Sequence, residues 1–200
     1  MNGNNHVHHL HQSQRLQVFS QQRRNQNGKP RYYFAKGHKG EPIDKVLQGY
    51  EIEESINRIV SLVKSHPKLT PYEEAVCVEN ALARHPKAQN YRIAVKDNQI
   101  IIYEGTGWDV DEMMKIFGNT FPILPNARER LEEDRDRYTQ FTPVMRFILD
   151  DAETREFHAE RWCYSGSIDD WIYAGHSGKT DKLAKKLISK LGTDEFYELH

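Results

Sequence analysis

Cysteine is nearly absent from this 200-residue chain: Cys77 and Cys163 are the only two. Both sit in apolar-patterned segments with no spaced framework around them. They are therefore expected to be buried free thiols, not a disulfide or a metal pair. Long apolar runs are missing as well. Nothing approaches the roughly 20 residues of a membrane span, and the chain start lacks the basic-then-apolar pattern of a secretory signal. The expectation is a soluble, cytoplasmic protein with no membrane partner. Apolar residues make up 38% of the chain and the mean hydropathy is -0.81, low values for a wholly folded chain, so part of it is expected to be solvated. No Ser-His-Asp or Cys-His arrangement can be inferred from spacing, no internal repeat is visible, and no cofactor motif is complete.

The most informative absence is that of acidic residues before Glu41. That stretch holds Arg15, Arg23, Arg24, Lys29, Arg31, Lys36 and Lys39, a charge of +7. Removing those 7 from the 28 basic residues leaves 21 against 29 acidic ones, so the remainder carries -8 under a net charge of only -1. Residues 1–29 are rich in Asn, Gln, His and Ser, a composition that buries too little surface to offset ordering. They are expected to form a disordered tail, with a transient helical turn at Leu16–Phe19 as the one exception. His6, His8, His9 and His11 are read as a His-rich terminus and not as a metal site.

Residues 30–200 are expected to form a single α+β domain: two hairpins and a further strand in a mainly antiparallel sheet, covered by four to five helices. Arg31–Ala35 reads as an edge strand, followed by the basic turn Lys36–Gly40. A helical region is expected from Pro42 to His66, broken near Gly49, because Ile52, Ile56, Ile59, Val60 and Val63 fall at helical spacing. Thr70 and Glu73 form a capping box for a helix that runs to about His85. Tyr91–Lys96 and Gln99–Glu104 read as a hairpin about Asp97-Asn98, with Ile93 opposite Ile102 and Val95 opposite Ile100. Asp109 with Glu112, and Asn126 with Glu129, read as further helix caps. The segment from Ala127 to Tyr138 reads as a charged helix facing solvent.

The stretch Thr142–Leu191 holds the densest mix of apolar and ionisable residues. Placing Leu149 opposite Arg155 sets Phe147 against Phe157, Met145 against Ala159 and Arg146 against His158. Asp170–Ala174 is the expected third strand, and a Gly175–Thr180 loop then leads into a helix with Leu183, Leu187, Ile188 and Leu191 on one stripe. Thr180 is its expected N-cap and Gly192 its stop, with Lys182, Lys185, Lys186 and Lys190 toward solvent.

Three sets of residues are candidates for function. The basic arm, with Arg23, Arg24, Lys29, Arg31, Lys36 and Lys39 beside Tyr32, Tyr33 and Phe34, matches what a nucleic-acid strand requires, since cations meet phosphates and rings meet bases. The loop residues His176, Gly178, Lys179 and Thr180 partly match a phosphate-binding loop, with Tyr173 where the first glycine belongs. Glu156, His158 and Glu160 share one face of a strand, as the groups of a metal-dependent phosphodiesterase or nuclease do. The leading expectation is a non-enzymatic regulatory or adaptor protein contacting nucleic acid or another polyanion. The alternatives are that enzyme and a protein-interaction module using Glu132, Glu133, Asp134 and Asp136.

Overall fold

The computed structural model describes residues 48–67, 69, 72–117 and 126–199, together with the backbone of three strands at 19–24, 30–35 and 41–42. The chain divides after Ser65 into two compact units. The basic turn Lys36–Gly40 lies outside the described residues, as do Leu16 and the histidines of the chain start.

The first unit is built of strands. Antiparallel β1 (Phe19–Arg24) pairs with β2 (Pro30–Ala35) and with the short β3 (Glu41–Pro42), which leaves β2 at an edge as expected. Part of the stretch expected to be a structureless tail is therefore strand. Nor is the helix expected between Pro42 and His66 found among the described residues of that stretch. Tyr50–Glu54 and Val60–Lys64 form the antiparallel hairpin β4–β5. The isoleucines fit both periods, and β-branched side chains suit a strand better. Arg58, at φ 61°, turns the chain. Ser55 closes the turn, its amide donating to the Ile59 carbonyl and its Oγ accepting the Ile59 amide.

The second unit is an antiparallel meander of five strands, with the helices at 72–82 and 180–188 packed on one face. Helix α1 (Tyr72–Leu82) buries Ala75, Val78 and Leu82 as its spacing predicts. Strands β6 (Tyr91–Lys96) and β7 (Gln99–Gly105) pair in the predicted register, Ile93 with Ile102 and Val95 with Ile100. Helix α2 (Val110–Phe117) starts where Asp109 Oδ1 accepts the amides of Asp111 and Glu112. Helix α3 (Ala127–Tyr138) buries nothing, in keeping with its charged sequence. Asn126 stands in the left-handed region at φ 67° and its side chain makes no capping bond, so the second predicted cap fails although the helix starts there.

Strands β8 (Phe141–Asp151), β9 (Glu156–Ser165) and β10 (Ile168–Gly178) complete the sheet in the order β10-β9-β8-β7-β6. Their register corrects the prediction: Leu149 lies opposite Phe157, Phe147 opposite Ala159, and Arg146 opposite Glu160. The displacement is two residues, because the turn uses more chain than assumed. Asp151 Oδ1 accepts the amides of Glu153 and Thr154 at 2.7 and 3.0 Å, and Arg155 closes the turn at φ 54°. An even displacement keeps every side chain on its predicted face.

Helix α4 (Thr180–Ile188) and the short α5 (Asp194–Tyr197) follow. Val78 and Leu82 of α1 join Leu183, Leu187 and Ile188 of α4 over Ile100, Ile102, Met145, Phe147 and Phe157 of the sheet. Phe147 and Phe157 are fully buried, and each large apolar side chain removed from water contributes about 1.5–3 kcal/mol. Both cysteines are free, Cys163 buried and Cys77 half-buried. Among the described residues no helix is long and apolar enough to cross a membrane.

Candidate functional site

The face of the sheet opposite α1 and α4 carries a polar ladder. Arg146 Nε donates to Glu160 Oε2 at 2.6 Å, and its guanidinium lies 4.3 Å from the centre of the Trp171 ring. His158 stands between two carboxylates, with Nδ1 2.6 Å from Asp150 Oδ1 and Nε2 3.4 Å from Glu160 Oε1. The ring nitrogens thus face different partners, and Arg146 already holds the other oxygen of Glu160. Glu156 is exposed and bonds to neither His158 nor Glu160. Of the three predicted residues the fold brings two together. Among the described residues no group of three His, Cys, Asp or Glu could hold a metal ion.

The stretch expected to be a phosphate loop is strand. Gly175, His176, Ser177 and Gly178 continue β10, whose pairing with β9 shifts between Tyr173 and Ser177. The glycines serve this irregularity: Gly175 has φ 71° and Gly178 φ 141°. Lys179, not Thr180, occupies the cap position of α4, and its Nζ donates to the Thr154 carbonyl. Thr180 is buried, with an Oγ1 that has no partner among the described residues. His176, Lys179 and Thr180 therefore have separate surroundings and form no common cradle.

His176 belongs instead to the lysine face of α4. Its Nδ1 is 3.4 Å from Lys186 Nζ. Burial, and then the charges of Lys186 and Lys190, push the imidazole below its ordinary value. Lys182, Lys185 and Lys186 are exposed and pair with no carboxylate among the described residues, whereas Lys190 lies 3.2 Å from Glu195. The cause is local: Leu183, Leu187 and Ile188 must face the core, so the intervening positions turn outward, and this sequence fills them with lysine.

In the first unit the backbone register places Arg23 opposite Arg31 and Arg24 opposite Pro30. Lys29, Lys36 and Lys39 lie outside the described residues. Half of the acidic set on α3 is engaged locally, since Glu132 pairs with Arg128 and Asp136 with Arg135, while Glu133 and Asp134 are exposed. A cleft of about 340 Å³ between α2 and α3 is crossed by Arg128, which bonds Asp111 and Glu132 at 2.9 Å each. Its charges are satisfied internally.

Two features had weak sequence signals. The stacking of Arg146 on Trp171 needed the β9–β10 register, which the assumed loop at Gly175 hid. The cationic surface was legible in the lysine spacing of α4, but the inclusion of His176 was not. Comparison with protein families, with curated proteins and with solved structures finds no match for this chain.

Proposed function

We propose that this protein is a non-enzymatic adaptor that contacts nucleic acid through two basic surfaces, the lysine face of α4 and the arginine-bearing β1–β2 hairpin. The observation that carries the reading is the set Lys182, Lys185 and Lys186, exposed at helical spacing with no carboxylate among the described residues to neutralise it, beside a His176 whose protonation burial, and then the charge of Lys186, oppose. Unscreened like charge on one rigid helix is relieved by phosphates, and releasing their counterions drives association. The β1–β2 hairpin contributes Arg23, Arg24 and Arg31 to the same proposed contact. The Glu156, His158 and Glu160 set supports no hydrolytic step in its present geometry, because His158 and Glu160 engage each other, Asp150 and Arg146, and Glu156 stands apart.

The test is the salt dependence of binding to single-stranded RNA or DNA. Replacing Lys182, Lys185 and Lys186 by glutamate is expected to flatten the slope of log affinity against log salt by about two, since each phosphate no longer neutralised takes about 0.7 from the slope. Replacing Arg23, Arg24 and Arg31 by alanine is expected to flatten it further. Unchanged affinity and slope in both variants would overturn the reading.

A further inference from the structure

The end of the β9–β10 hairpin exposes aromatic surface that the lysine face does not use. Tyr164 is 70% exposed, Tyr173 49% and Ile168 47%, while Trp162 and Trp171 lie opposite each other with ring centres 5.0 Å apart, edge to face. β10 ends the sheet order, so along Ile168–Tyr173 every second amide and carbonyl points away from β9. An edge strand with exposed aromatics invites another strand.

Charge decides what kind of strand. Asp169 and Asp170 lie on this edge, both exposed and neither paired with a cation among the described residues. Among the described residues Asp169 accepts from Trp162 Nε1 at 3.1 Å, and Asp170 from the Trp171 amide at 2.7 Å. The nearby cation, Arg146, is already held by Glu160. A nucleic-acid backbone would meet two carboxylates here, and a second copy of the chain pairing edge to edge would bring four together. Arg146 itself displays the favoured contact, a guanidinium over the Trp171 ring.

From this arrangement we infer that the free edge of β10 takes up an extended basic peptide as a sixth strand, with arginine or lysine at alternate positions meeting Asp169, Trp171 and Tyr173. Backbone pairing supplies the affinity, and the carboxylates with the rings supply the choice of cationic side chains. The site shares no residue with those assigned to nucleic acid.

The test titrates the full chain with an arginine–threonine repeat peptide about ten residues long, following the indole signals of Trp162 and Trp171. A matched glutamate–threonine peptide, an arginine–threonine peptide N-methylated at alternate amides and a single-stranded oligonucleotide serve as comparisons. The arginine peptide is expected to move both indole signals, and the other three are not. Asp169→Asn with Asp170→Asn keeps both acceptor oxygens and so preserves the hairpin, yet is expected to weaken binding about tenfold. The Lys182, Lys185 and Lys186 variant is expected to bind the peptide unchanged. The inference is overturned if the arginine peptide fails to bind, if the N-methylated peptide binds equally, if the asparagine variant loses no affinity, or if the oligonucleotide moves these indole signals instead.

Discussion

Arg161 shows how one residue is justified by chain far from it. The alternation Phe157, Ala159, Arg161, Cys163 puts a guanidinium on the core face, where it is 7% exposed. No carboxylate among the described residues meets it there. Its Nε donates to the Leu199 carbonyl at 2.8 Å and its Nη2 to the Tyr197 carbonyl at 2.7 Å. A buried cation held by carbonyl dipoles depends on both of them, because removing either partner strands a desolvated charge. Replacing Arg161 by methionine and removing residues 195–200 should therefore be coupled: the deletion costs less, by about 1–3 kcal/mol, once the charge has gone. Urea unfolding of the two single changes and their combination measures this, and additive losses would refute the dependence. The strand alternation made the inward position readable, but nothing in the sequence near Arg161 pointed to carbonyls supplied by the chain's last residues.

At the level of elements, the same local patterns succeeded where one period dominated and failed where two fitted. The β6–β7 hairpin was legible because alternation and an Asp-Asn turn agree. The β4–β5 hairpin was not, because its isoleucines also fall on a helical stripe. The deciding feature there is the positive φ of Arg58, a conformation that the identity of an arginine does not announce. The β8–β9 turn is a third case. Arg155 stands at φ 54°, a conformation that disfavours side chains, and is fastened to α1 by a two-pronged ion pair, with its Nε 2.7 Å from Glu74 Oε1 and its Nη2 on Oε2. The pair joins α1 to the sheet across 81 residues. Arg155→Ala keeps the backbone cost and loses the pair, for an expected destabilisation of about 1–3 kcal/mol. Arg155→Gly loses the pair but removes the backbone cost, so it should be milder by about 1 kcal/mol. Denaturation midpoints compare the two, and an alanine variant as stable as the parent would show that the pair contributes nothing.

For the molecule as a whole, charge is sorted: the stretch before Glu41 is purely cationic, the rest is acidic, and within that acidic remainder α4 keeps a cationic face. His176 reports on that face. Burial, Lys186 and Lys190 hold its imidazole below the ordinary value of about 6.5. Above that ordinary value it is neutral both folded and unfolded. As pH falls, the unfolded chain takes the proton first, so the stability associated with His176 is present above about pH 6.5 and is lost as pH drops toward the folded value. A bound polyanion reverses one cause: it screens Lys186 and Lys190, raises the imidazole toward or past its ordinary value, and so draws a proton onto the complex. Oligonucleotide affinity is then expected to strengthen as pH falls through the range between the free and bound values. Resonances of the His176 ring, assigned by loss in His176→Asn, should titrate at higher pH in the complex than in the free protein. Lys186→Ala should produce a smaller upward move without any ligand. A titration midpoint unmoved by oligonucleotide, in a protein that nonetheless binds it, would place the phosphates away from α4 and leave the β1–β2 arginines as the surface that holds them.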